Sequence, residues 1–198
     1  MRIACMGDSI TYGFGLEDDL TRRWTDLAAN STGDEWLNFG ISGDTTSGML
    51  VRIHTDIIPA RPDVMLLLGG VNDIFNTSDS AFDIPKLNMI AMRRHLMRAD
   101  IPIVLCTLLP TVTEDLEHAA WDYTRDNERS YRSVEAYSVW LKAYAAAVDV
   151  PICDFRSGFF DADGNVRRDL FSDGLHPNAE GHRVMARIAA ETIRKLKG

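Results

Sequence analysis

Cysteine is scarce in this chain, with three residues in 198, and that scarcity excludes a small fold held together by a disulfide framework. Cys5, Cys106 and Cys153 each lie inside an apolar run (RIACM, PIVLCTL, VPICDF), away from metal-ligand spacing, so reduced structural thiols are expected. No apolar run approaches the roughly 20 residues that a membrane-spanning helix needs. A charged leader followed by an apolar stretch and a small-residue cleavage site is also lacking, because Gly7 and Asp8 interrupt the N-terminus; a cytoplasmic protein is expected. Basic charge is in short supply: 21 Lys and Arg against 29 Asp and Glu leave a net charge of -8. Binding to nucleic acid needs clustered Lys and Arg to neutralise phosphates, whereas Arg22/Arg23 and Arg93/Arg94 are scattered pairs. No G-x-x-x-x-G-K occurs, and GFGLED, residues 13 to 18, lacks the third glycine of a dinucleotide fingerprint. His54, His95, His118 and His182 form no H-E-x-x-H or other metal spacing, and are expected at the surface or in the core.

What the chain does have is enough apolar residue, 45% of the total, to build one well-packed core, and a single domain over residues 1–198 is expected. Short apolar runs recur: RIACM (2 to 6), EWLNFG (35 to 40), DVMLLLG (63 to 69), IPIVLCTL (101 to 108) and VPICDF (150 to 155). Continuous apolar runs of this length are the pattern of strands buried on both faces, as in a parallel sheet. Between them, DLTRRWTDLAANS, TSGMLVRIHTDIIP, IPKLNMIAMRRHLMRAD, SVEAYSVWLKAYAAAV and NAEGHRVMARIAAETIRKLKG place apolar residues three and four apart, which predicts helices. Alternation of strand and helix predicts an α/β fold, an open five-stranded parallel sheet with helices on both faces. Its functional groups should gather at the carboxyl ends of the strands. Residues 110 to 131 are irregular and charged, with Trp121 and Tyr123; they follow the fourth strand and are expected either to overhang a pocket or to form a solvated loop.

Four segments at or near those ends carry reactive groups: Gly7-Asp8-Ser9, Gly40-Ile41-Ser42-Gly43, Gly69-Gly70-Val71-Asn72-Asp73, and Asp173-Gly174-Leu175-His176-Pro177. A serine hydroxyl attacks a carbonyl only when a base takes its proton, and the usual base is a histidine oriented by a carboxylate. Ser9, His176 and Asp173 supply those three roles. Asp173 and His176 are three residues apart, so one turn can present both. Backbone N–H groups of Ser9 and Gly43 with the side-chain amide of Asn72 supply donors for an oxyanion. The G-x-S-x-G elbow of the α/β-hydrolases is absent; its nearest match, GISGD at 40 to 44, lacks the last glycine, which disfavours Ser42 as nucleophile.

Taken together, Ser9 in MGDSITYG, Gly43 in NFGISGDTT, Asn72 in GGVNDI and His176 in SDGLHPNAEGH resemble the four blocks of the SGNH hydrolases, the GDSL-type esterases and lipases. The matched blocks run from residue 3 to residue 182, nearly the whole chain. The resemblance implies a flavodoxin-like three-layer α/β/α sandwich and a serine esterase or acylhydrolase acting on a small-molecule ester. It assigns Ser9 as nucleophile, His176 as base, Asp173 as its partner, and Ser9, Gly43 and Asn72 to the oxyanion hole. It also implies no metal or organic cofactor. Ile10 stands where the family nickname has leucine, a change of local packing. Asp8 and Asn38 also match and are expected to brace the loops that carry the reactive groups. A small soluble ester such as an O-acetylated carbohydrate is the expected substrate. The alternatives are a thioesterase or lysophospholipase of the same fold, or a catalytically silent ligand-binding module, which would not label at Ser9 with a fluorophosphonate. A homo-oligomer is compatible with all of these.

Overall fold

The structure, a computed structural model, describes residues 1–16, 18–76, 83–116 and 127–198. Five strands form one parallel sheet in the order β2-β1-β3-β4-β5: β1 (Arg2–Gly7), β2 (Glu35–Gly40), β3 (Val64–Leu68), β4 (Ile103–Cys106) and β5 (Ile152–Cys153). All four strand pairings are parallel, with Cys5 opposite Asn38 and Leu66, and Cys106 opposite Cys153. β3 lies at the centre, and every residue of its VMLLL run is buried, as the continuous apolar pattern requires. The expected α/β fold is therefore present, and all five apolar runs supply strands.

The helices are α1 (Ser9–Tyr12), α2 (Trp24–Thr32), α3 (Thr46–Arg52), α4 (Ile58–Ala60), α5 (Val71–Asn76), α6 (Asp83–Arg98), α7 (Thr113–Leu116), α8 (Asn127–Ala147) and α9 (Ala179–Lys197). α2 packs on α9, and α3 on α6; right-handed crossovers place these pairs on opposite faces of the sheet. Trp24 anchors the first pair. Its ring is buried edge-on against Trp36 and Phe155, with centroids 6.1 and 5.2 Å away. α9 starts at Asn178, whose side-chain oxygen accepts from the N–H groups of Glu180 and Gly181, a capping geometry suited to asparagine.

Two expected helices are broken. The segment from residue 19 turns once as a 3-10 helix (Leu20–Arg22), and Arg23 is extended at ψ 149° before α2 begins. The break lets the Trp24 N–H donate to Nδ1 of His182 at 3.1 Å. The helix expected over residues 46 to 59 widens into a π-helical stretch (Ile53–Ile57) ahead of Pro59, which has no N–H to continue the regular ladder. Of residues 110 to 131, Thr111 and Val112 are buried and α7 follows; residues 117 to 126, with Trp121, Tyr123 and His118, lie outside the described residues.

Candidate functional site

The site lies at the carboxyl ends of β1, β2 and β3, on either side of the point where the strand order reverses and open α/β sheets leave a crevice. β1 ends at Gly7, Asp8 caps α1, and Ser9 is the first residue of that helix. One Asp8 oxygen accepts from the Ile10 N–H at 3.0 Å. The other is buried without a hydrogen-bond partner among the described residues, and burial pushes the Asp8 carboxyl up to about 7 because the charged form has lost its water.

Ser9 and His176 lie together although the chain separates them by 167 residues, with Ser9 Oγ 2.9 Å from His176 Nε2. On the other edge of the imidazole, Nδ1 is 2.7 Å from Asp173 Oδ2. A carboxylate only accepts, so Nδ1–H donates to Asp173; Nε2 of the neutral ring is then the acceptor, and the Ser9 hydroxyl donates to it. Asp173 is itself fixed, since its Oδ1 accepts from the backbone N–H groups of His176 at 2.7 Å and Leu175 at 3.1 Å. Both Ser9 and His176 are buried to 6% exposure, and they open on a cavity of about 130 Å³ lined by Ser42, Gly43 and Asn72 on the polar side and Phe14, Phe75 and Leu175 on the apolar side.

The other expected residues are brought to the same place. Gly43 adopts φ +78°, a left-handed conformation that glycine tolerates, and no atom lies within 4 Å of where a side chain would project. The Asn72 amide donates to the carbonyl of Asp44 at 2.9 Å, tying the end of β3 to the turn that carries Gly43. Asn38 links β2 to α1 and α2: its amide donates to the Thr11 carbonyl at 2.6 Å and to Thr25 Oγ1 at 3.0 Å, and its oxygen accepts from the Gly40 N–H. Ser42 also lines the cavity, but it is the Ser9 hydroxyl that lies 2.9 Å from the His176 imidazole.

Sequence reasoning missed several supports. Arg52 forms an ion pair with Asp44 at 2.7 Å, donates to the Phe39 carbonyl at 3.0 Å and pairs with Asp56, so one guanidinium clamps the loop between β2 and α3. Asp73 accepts from both the N–H and the hydroxyl of Thr46, at 2.8 and 2.6 Å, while burial raises its pKa. The pocket-lining Phe14 and Phe75 gave no signal beyond being apolar residues near the matched blocks. His182 is a core histidine held neutral, its pKa lowered to about 4 by burial. His54 and His95 hydrogen-bond to each other at the surface, 3.0 Å apart.

A family model described as the GDSL-like lipase/acylhydrolase family matches residues 5–184. The chain belongs to this family. Among relatives of this GDSL-family chain, the uncharacterized lipoprotein YqeF of Bacillus subtilis is 24% identical, over 96% of this chain and 87% of that protein. The acetylxylan esterase of Geobacillus stearothermophilus is 26% identical over 79% of this chain and 71% of the enzyme. A crystal structure of a GDSL-like lipase from Bacteroides thetaiotaomicron superposes with a TM-score of 0.79 at 24% identity, covering 98% of this chain and 88% of the other. The similarity supports the expected three-layer fold and an ester-hydrolysing enzyme. It does not support the expected cytoplasmic location, because YqeF is named as a lipoprotein; what holds is that no helix among the described residues is long and apolar enough to cross a membrane.

Proposed function

We propose that this GDSL-family chain is a serine esterase that cleaves small carboxylic esters through an acyl-enzyme on Ser9. The observation that carries the reading is the hydrogen-bonded line from Ser9 through His176 to Asp173, with links of 2.9 and 2.7 Å. In this scheme Ser9 Oγ attacks the ester carbonyl as His176 Nε2 takes its proton. Asp173 stabilises the imidazolium that forms. The carbonyl oxygen becomes an oxyanion, for which the N–H groups of Ser9 and Gly43 and the second amide hydrogen of Asn72 are the donors; each such donor is worth on the order of a hundredfold in rate. His176 then returns the proton to the leaving alcohol, and water, activated by the same imidazole, frees the acid.

The pocket supports a short acyl group. About 130 Å³ is room for a few carbon atoms, and the Phe14, Phe75 and Leu175 side chains offer an apolar wall to an alkyl tail. One relative is named as an acetylxylan esterase, which fits an O-acetylated carbohydrate as the substrate here.

The test is hydrolysis of para-nitrophenyl esters from acetate to laurate by wild type and Ser9→Ala, with fluorophosphonate labelling in parallel. Wild type is expected to prefer the shortest chains and to label at residue 9, and Ser9→Ala to lose three or more orders of magnitude in kcat. Undiminished turnover in Ser9→Ala would exclude Ser9 as nucleophile.

A further inference from the structure

We infer that Phe14 is a positioning residue, which holds the His176 imidazole in the plane where Nε2 meets the Ser9 hydroxyl. The inference rests on the reading of His176 as the base for Ser9. The Phe14 ring lies over the imidazole face, with centroids 4.4 Å apart and planes inclined by 39°. The two nitrogens already bond Ser9 and Asp173 along the ring edge, but such bonds tolerate tens of degrees of misalignment, and the outer torsion of histidine is broad. Bonds at the ring edge therefore resist rotation about the bond that joins the ring to Cβ only gradually. A second ring packed on the face opposes that swing steeply, because contact energies rise fast when atoms are pressed together.

Core packing does not explain where Phe14 is. Its side chain remains 37% exposed and it is not part of the buried apolar cluster. What sets its position is the local backbone. The N–H groups of Gly13 and Phe14 both donate to the carbonyl of Ser9, at 3.0 Å each, so the aromatic residue is fastened to the nucleophile's own peptide. Gly13 and Gly15 flank it at φ +91° and +83°, two left-handed turns that L side chains rarely adopt. At position 13 a side chain would also meet Arg23 Cγ at 2.5 Å. The GFG triplet, too short in glycine for a dinucleotide fingerprint, thus has a use: it doubles the chain back so that one aromatic ring covers the imidazole.

The same contact favours the reaction electronically, because the face of an aromatic ring attracts a cation, and His176 becomes one in the transition state. The experiment compares wild type, Phe14→Ala and Phe14→Tyr on para-nitrophenyl acetate and butyrate, alongside the downfield proton NMR signal of the His176–Asp173 hydrogen bond. Phe14→Ala is expected to lower kcat roughly ten-fold by the same factor on both esters, with KM little changed, and to broaden the downfield signal. Phe14→Tyr keeps an aromatic ring beside the imidazole and should restore most of the kcat and the downfield signal lost in Phe14→Ala. A loss confined to KM and growing with acyl length, together with an unaltered downfield signal, would make Phe14 a pocket wall only and overturn the inference. Ser9→Ala serves as the control for the esterase reading. If wild type neither turns over nor labels at Ser9, that reading fails, and the NMR comparison alone then decides the place of Phe14.

Discussion

At Asp8 two demands compete. Its carboxyl caps α1 through the Ile10 N–H, yet burial costs the charged form, and the group titrates near 7 against about 3.9 in an unfolded chain. Since the folded pKa lies above the unfolded one, the folded protein binds the proton more tightly, and stability is lost as pH rises from about 4 to about 7. His182 works in the opposite sense. Its folded pKa of about 4 lies below the unfolded 6.5, so its contribution is present above about 6.5 and is lost as pH falls toward 4. The two slopes partly cancel in wild type. Asp8→Asn keeps an acceptor for the Ile10 N–H and removes the titration, so its stability advantage over wild type should grow between pH 4 and 7 and level off above, reaching at most about 4 kcal/mol. Urea midpoints of the two proteins across that range measure it, and a difference independent of pH would show that Asp8 is ionised throughout.

At the scale of the element, α1 has to sit tightly against the end of β2, because it carries Ser9. Gly40 makes this possible: a Cβ there would lie 2.2 Å from the Tyr12 nitrogen and 2.6 Å from the Thr11 carbonyl carbon, backbone atoms that cannot swing away. Gly40→Ala should therefore displace α1, destabilise the protein by about 3 kcal/mol and lower turnover even in the folded fraction. Thermal unfolding and assays on folded protein test both parts, and a variant with wild-type Tm would show that α1 can shift freely. How much of the elements was legible follows from how local their causes are. EWLNFG coincides with β2 over 35 to 40 although that edge strand is only half-buried, and the apolar run of 63 to 69 holds β3 because a strand buried along its whole length declares itself in its own residues. The amphipathic period of α6 and α9 does the same. α5, six residues long, is too short for a period to show. The break at Arg23 has a cause far away in the chain, since the Trp24 N–H bonds His182. The four chemical blocks were visible through residue type and spacing, whereas the Arg52 clamp and the Phe14 cover depend on contacts that no spacing rule encodes.

For the molecule as a whole, the central sheet keeps its three thiols out of reach. Cys5, Cys106 and Cys153 are free and fully buried, and burial pushes the Cys5 and Cys106 thiols well above their ordinary range, so the reactive thiolate is suppressed. Native protein should give no colour with Ellman's reagent, and protein in denaturant should give three equivalents; partial reaction of the native state would reveal opening of the sheet. The order of the chain has a further effect. Ser9 is translated ahead of the imidazole that would activate it, which follows 167 residues later. A nascent chain would therefore carry the proposed nucleophile unarmed while those 167 residues are made, and hydrolytic competence would arrive only once Asp173 and His176 are set against it.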